Sequence, residues 1–242
     1  MRIALFVTCL IDLLRPRIGF AALKLLQAAD VEVTVPTSQT CCGQPAYNSG
    51  DRDGASSLAR KVIREFTDCD YIVVPSGSCA GMIRVHYPEL LGDDPANLEA
   101  ARELAAKTYE LTDFLANVLH VDRVPGNYRG SFTYHDSCSG LRELGIKQAP
   151  RRLLALLPEA RLIEMRDAET CCGFGGTFSV KYGDIATRMA DNKCVCVAET
   201  GADAVVAGDL GCLFHLEGRL RRRGDRRTRV LHVAELLAGD GT

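Results

Sequence analysis

The sequence has no tryptophan, four methionines and only 6% aromatic residues among its 242 positions. No apolar run reaches the ~20 residues needed to cross a bilayer. Neither sign of charge dominates: 29 lysines and arginines face 31 aspartates and glutamates, a net charge of −2. That balance offers no general reason to expect nucleic acid or an acidic membrane surface as a partner. No glycine-rich loop of the dinucleotide or phosphate-binding type follows the first strand-like run, and the first glycine, Gly19, falls inside a helix candidate. Neither flavin nor nicotinamide is therefore expected on this chain. The opening Met1-Arg2-Ile3-Ala4-Leu5-Phe6-Val7 reads as a strand. It is too short for the apolar region of a signal peptide and no small-residue cleavage site follows, so a cytoplasmic location is expected.

What is abundant is cysteine, eleven in all. In a reducing compartment these are read as metal ligands or redox thiols rather than as structural disulfides. The densest stretch is Thr170-Cys171-Cys172-Gly173-Phe174-Gly175-Gly176, and a shorter copy, Thr40-Cys41-Cys42-Gly43-Gln44-Pro45, lies 130 positions earlier. Neighbouring cysteines are poorly placed to bridge each other. Two thiolates entering one space suit a metal or metal–sulfide centre better. Gly43, Gly173, Gly175 and Gly176 are candidates to cradle it, because glycine lets backbone N–H groups approach an anion closely.

The repeat extends on both sides of these motifs. Cys9 precedes Cys41 by 32 positions and Cys138 precedes Cys171 by 33, while Cys42 to Cys79 is 37 and Cys172 to Cys212 is 40. Each half reads strand, Cys, helix, strand, CCG, helix, strand, Cys, helix. Helical spacing covers residues 18–29, 53–66, 151–157 and 184–200, and strand patterns cover residues 31–35 and 161–165. Similar tails close the halves at 109–116 and 231–238, and Pro125-Gly126-Asn127 marks a linker. The expected architecture is α/β: two pseudo-repeated halves, 1–125 and 126–242, each a small, mainly parallel sheet flanked by helices. Sites in such sheets form at the carboxyl ends of strands, beside helix N-termini. Every repeated cysteine follows a strand and precedes a helix. Cys9, Cys41, Cys42 and Cys79 should therefore meet at one sheet edge, and Cys138, Cys171, Cys172 and Cys212 at the other. Thiolate zinc sites usually use short paired knuckles, whereas an iron–sulfur cluster takes thiolates and is tuned by N–H donors. The residues alone favour the cluster and leave structural zinc open.

The pattern of a cysteine, about thirty residues, Cys-Cys-Gly, about thirty-five residues and a cysteine resembles the cysteine-rich CCG domain. That domain occurs in heterodisulfide reductases, the glycolate oxidase iron–sulfur subunit and the lactate utilisation protein A group. The resemblance rests on Cys41-Cys42-Gly43-Gln44-Pro45, Pro75-Ser76-Gly77-Ser78-Cys79, Tyr134-His135-Asp136-Ser137-Cys138 and Cys171-Cys172-Gly173-Phe174-Gly175-Gly176. Two tandem copies covering the whole chain are most similar to the lactate utilisation group. This implies an electron-transfer subunit with one or two iron–sulfur clusters, of the 4Fe-4S kind, in a complex oxidising L-lactate to pyruvate. The implied partners are a ferredoxin-like iron–sulfur subunit and a third small subunit. A heterodisulfide or thiol–disulfide reductase is the alternative. In heterodisulfide reductases each domain closes with Cys-x-x-Cys, allowing a five-cysteine cluster; here that last position is Met82 and His215. Four thiolates per half are expected, with His215 a candidate fifth ligand in the second.

His135, three positions before Cys138, is a candidate for a catalytic or hydrogen-bonding role at the cluster. Asp136 and Asp209 are candidate helix caps. Cys69, Cys194 and Cys196 have no repeat partners and read as packing residues, and Met82 and His86 read as surface or core residues rather than ligands. Residues 219–229 hold seven arginines, readable as a solvated loop or as a docking surface for an acidic partner.

Overall fold

The structure, a computed structural model, describes residues 1–240. Two four-stranded parallel sheets form its centre. The first uses β1 (Arg2–Leu5), β2 (Glu32–Thr34), β3 (Tyr71–Val74) and β4 (Thr108–Glu110) in the order β2-β1-β3-β4. The second uses β5 (Gly130–Tyr134), β6 (Ala160–Leu162), β7 (Ala204–Ala207) and β8 (Arg229–His232) in the matching order β6-β5-β7-β8. The registers correspond: Ile3 pairs Tyr71 in one sheet and Phe132 pairs Ala204 in the other. This is the expected α/β repeat. The expectation placed three strands in each half, and the fourth, β4 and β8, starts the tail segments. Each is only a few residues long and turns at once into a helix, so alternation had too little length to show.

The helices form where pattern and capping agree. Pro16–Ala28 begins with proline, whose fixed φ suits a first turn. It buries Ile18, Ala21, Ala22, Leu25 and Leu26, one apolar stripe. Arg52–Glu65 is capped by Asp51, which accepts from Gly54 N at 2.9 Å. The helix expected over 151–157 runs instead from Gln148 to Leu154, taking Pro150 into its first turn, where proline is tolerated. Pro95–Lys107 is an extra helix of the first half, between β3 and β4.

Both faces of the first sheet are covered, as parallel sheets require. Ala4, Phe6, Ile72 and Val74 pack on one face with the helix Arg52–Glu65. Ile3, Leu5 and Val73 belong to a second core that continues into the other half through Phe132, Tyr134 and Leu236. The exchange is reciprocal. Pro16–Ala28 lies on Val233–Ala238 of the second half, and Gln148–Leu154 lies on the turn around Leu111–Val118 of the first. Nearer the site, Gly77–Gly81 packs on Cys138–Arg142. A Cβ built on Gly77 would sit 2.9 Å from Gly140 Cα, so glycine is what lets these backbones touch.

The tail helices carry different caps at equivalent places. Glu110 accepts from Thr112 N at 2.8 Å and Asp113 N at 3.1 Å; His232 Nδ1 accepts from Ala234 N at 3.2 Å. Burial pushes the Glu110 carboxyl up to about 7, and burial pushes His232 down to about 4.

Gly77→Ala should lose about 1–3 kcal/mol by overpacking. Gly183→Ala, whose added Cβ meets nothing within 4 Å, should lose nothing; urea denaturation of both compares them. Because the folded Glu110 binds its proton more tightly than the unfolded one, its contribution is complete below the ordinary 4.5 and disappears as pH rises through about 7. Wild type should therefore weaken relative to Glu110→Gln by roughly 3 kcal/mol across that window. Urea midpoints of metal-free protein from pH 4.5 to pH 8 measure it, and parallel curves would contradict it.

Candidate metal centre

In each sheet the order of strands reverses between the first and third strands of the half, β1–β3 and β5–β7, and a crevice opens beyond their carboxyl ends. Cys9 starts the helix Cys9–Leu14 after β1, and Cys138 starts Cys138–Arg142 after β5. Cys79 lies in Gly77–Gly81 after β3, and Cys212 in Leu210–Arg222 after β7. The CCG turns enter from the loops after β2 and β6. All eleven cysteines are free thiols.

The repeated thiols interact in series within each half. Cys9 Sγ lies 3.7 Å from Cys41 Sγ; Cys42 is near enough to influence the Cys41 thiol, and Cys79 the Cys42 thiol. The second half repeats the series through Cys138, Cys171, Cys172 and Cys212. Both quartets are thus gathered. Hydrogen bonds from Cys42 and Cys9, with the Gly43 N–H behind them, hold the Cys41 thiol down to about 3. Hydrogen bonds from Cys138 and Cys172, with the Gly173 N–H, hold Cys171 down to about 2. The donating thiols Cys9, Cys42, Cys138 and Cys172 are pushed up.

Each CCG turn brings a glycine N–H to a sulfur. Gly43 N donates to Cys41 Sγ at 3.4 Å and Gly173 N to Cys171 Sγ at 3.3 Å. Gly43 and Gly173 have φ of +87° and +90°, a region glycine occupies freely. A Cβ on Gly173 would meet Ala186 O at 2.7 Å. Gly175 and Gly176 also have positive φ and line the cleft described below.

His135 is fully buried, and its ligand atom lies within 4.8 Å of the Cys172 and Cys212 sulfurs. Burial, then the neighbouring Lys193 ammonium, pushes His135 down to about 3, and its Nδ1 has no protein partner. His215 is turned elsewhere: its Nε2 lies 3.3 Å from Ala186 O and its ring is 6.2 Å from that of Phe174. Met82 is buried in the apolar core, and His86 stacks beside Tyr47 at 4.8 Å. Cys194 and Cys196 are both buried in the core, and Cys69 is half-buried beside Phe66 O.

Neither aspartate caps its helix. Asp136 receives both Arg151 terminal nitrogens at 2.8 Å. Asp209 reaches into the other half and accepts from Ser76 Oγ at 2.8 Å, Ser78 Oγ at 2.7 Å and Ser78 N at 3.1 Å. Sequence reasoning missed this tie. Ser76 and Asp209 both stand three positions before the last cysteine of their repeats, and that equivalence was the available signal. Of the arginine run, Arg219 and Arg223 pair with Asp191 and Arg221 donates to the Asp225 and Thr228 carbonyls. These three therefore brace the segment instead of lying bare.

All four cysteines of the first quartet, and Cys138 and Cys212 of the second, line one cleft of about 550 Å³ between the halves, together with Phe174. No described helix is long and apolar enough to cross a membrane.

Two tandem parallel-sheet domains, each bringing Cys, Cys-Cys-Gly and Cys together at its strand ends, define a cysteine-rich, thiol-clustering protein. The sequence pattern of the CCG family, described as "Cysteine-rich domain", matches residues 3–84 and 132–217, and the chain belongs to that family. It is 48% identical to lactate utilization protein A of Geobacillus thermodenitrificans (strain NG80-2) over 237 residues, covering 98% of each chain. It is 45% identical to lactate utilization protein A of Bacillus subtilis (strain 168), covering 98% of this chain and 99% of that one. A solved structure of a hypothetical protein from Helicobacter pylori shares the fold, with a TM-score of 0.66 and 12% identity. That match covers 98% of this chain and 48% of the other.

At pH 6, metal-free protein should be alkylated by iodoacetamide first at Cys41 and Cys171. Their thiolate fraction there outweighs the lower intrinsic reactivity of a low-pKa sulfur. Peptide mass spectrometry reads the order; faster labelling of Cys69, whose thiol burial pushes up, would contradict it.

Proposed function

We propose that this chain is an iron–sulfur electron-transfer subunit of a cytoplasmic complex oxidising L-lactate to pyruvate. Its two cysteine-rich domains are taken as residues 1–125 and 126–242. The observation that carries the reading is the duplicated thiol series, each with an N–H donor aimed at a half-buried sulfur. The residues fit a cluster. Four thiols per pocket match the ligand number of iron–sulfur centres, and the glycine N–H groups supply the hydrogen bonds that tune them. The 3.7 Å sulfur separation by itself also fits compact tetrahedral zinc. The N–H donors and the open cleft beside both quartets favour a redox centre over a closed structural one.

Cys9, Cys41, Cys42 and Cys79 would hold one cluster and Cys138, Cys171, Cys172 and Cys212 the other, with His135 beside the second. When bound, the cluster supplies one-electron acceptance and donation. The chain itself does the rest. The thiolates would neutralise iron charge, the glycine turns shape the pocket, and Ser76, Ser78 and Asp209 hold the halves in register. His135 would donate a hydrogen bond to the bound group. The lactate assignment rests on the full-length relatives named lactate utilization protein A. With it come the partners, a ferredoxin-like iron–sulfur subunit and a third small subunit, and oxidoreductase activity that is complete only in the assembly.

Adding L-lactate to the oxygen-free assembly of this chain with its partner subunits should bleach the visible absorption of its clusters. Replacing Cys41, Cys42, Cys171 and Cys172 together by serine should reduce that bleaching at least tenfold, and replacing Cys171 and Cys172 alone by about half. Bleaching by a disulfide-coupled reductant, with none from lactate, would instead identify a thiol–disulfide enzyme.

A further inference from the structure

The two thiol pockets are built on one plan but are walled differently. After β1 the chain places Phe6, whose N–H donates to Val73 O at 2.9 Å; after β5 it places His135, whose N–H donates to Val206 O at 2.8 Å. These are the same position in the repeat. A second equivalence follows from the CCG turns. The added Cβ of Gly43 would meet Ala55 and Leu58, and that of Gly173 would meet Ala186 and Met189. Seven positions beyond Ala55 is Val62, and seven beyond Ala186 is Lys193. Val62 is 0% exposed and Lys193 is 2% exposed. The first pocket is thus backed by Phe6, packed on Phe66 at 5.3 Å, and by Val62. The second is backed by an imidazole and a buried ammonium.

A lysine so deeply buried is rare without partners. Lys193 Nζ donates to the carbonyls of Asp167 and, at 3.3 Å, of Ala168. Ala168 O also accepts from Asp136 N at 3.2 Å. These groups begin the turn that delivers Cys171 and Cys172. The carbonyls hold the ammonium without neutralising it. The nearest acidic chains act from a distance: Asp167 is exposed and Asp136 is committed to Arg151. A positive charge in a low-dielectric wall favours adding an electron to the centre it faces.

We infer that Lys193 would make a cluster held in the second thiol pocket more easily reduced than one held in the first, favouring passage of an electron from the first to the second. This rests on both quartets holding clusters. Such a transfer would move one electron, oxidising a cluster in the first pocket and reducing one in the second, with no bond made or broken. Lys193 is here a positioning residue that acts through its charge.

Redox titration of oxygen-free protein, followed by electron paramagnetic resonance, tests it. Wild type should show two separate reduction midpoints, and the pair Cys171→Ser, Cys172→Ser should remove the more positive one. Lys193→Gln, which keeps an N–H donor, should move that midpoint negative and leave the other in place. Lys193→Arg should restore it, a result that a purely structural clip would not distinguish by charge. Loss of the more negative midpoint on removing the second quartet, or an unmoved midpoint in Lys193→Gln, overturns the inference while leaving the cluster reading intact. Wild type prepared without oxygen and lacking iron overturns both.

Discussion

Four thiols drawn into contact cannot all ionise unless a cation sits among them, because like charges in a partly buried pocket repel and desolvation penalises each one. Most of the site can be read from that constraint. One sulfur in each half, Cys41 or Cys171, takes the negative charge and receives hydrogen bonds from its neighbours and from a glycine N–H. Cys9, Cys42, Cys138 and Cys172, whose thiols are pushed up, keep their protons in the metal-free state. A bound metal would relieve the repulsion and displace those protons. The fold supplies the convergence: with the strand order β2-β1-β3-β4, three different connections end at the same crevice.

The halves depend on each other for more than symmetry. Each lends a helix to cover the other's tail, and the cores merge across the interface through Ile3, Leu5, Phe132 and Leu236. Around the site the contact narrows to backbone on backbone at Gly77 and Gly140, with Asp209 bonded to Ser76 and Ser78 alongside. Asp209 is nearly fully buried, so its three accepted bonds are what make its charge tolerable there. The shared cleft follows from this arrangement, because two crevices open toward one another.

Much of this was legible from cysteine spacing. Residues that must meet at strand ends leave regular intervals, and a duplicated interval says the same thing twice. Cys9, Cys41, Cys42 and Cys79 converge as expected, as do their counterparts. What spacing could not show is direction. Asp136 and Asp209 had the sequence positions of caps, yet their carboxylates turn to Arg151 and to the opposite half. His215, one turn after Cys212, points its imidazole at Ala186 O. β4 and β8 were too short for alternation to reveal. The buried Lys193 was hidden because a charged residue in an amphipathic helix ordinarily faces water, and only the matching contacts of Gly43 and Gly173 show it standing where Val62 stands. The two-half α/β architecture was readable throughout.

The duplicated fold kept its cysteines and changed the walls around them. Phe6 and Val62 surround one pocket, His135 and Lys193 the other. The account stands on both pockets binding iron with inorganic sulfide. The direct measurement is iron, zinc and acid-labile sulfide per chain in protein purified without oxygen. It should find iron and sulfide together, falling by about half when either adjacent-cysteine pair is replaced; zinc without sulfide, or no metal at all, would contradict it.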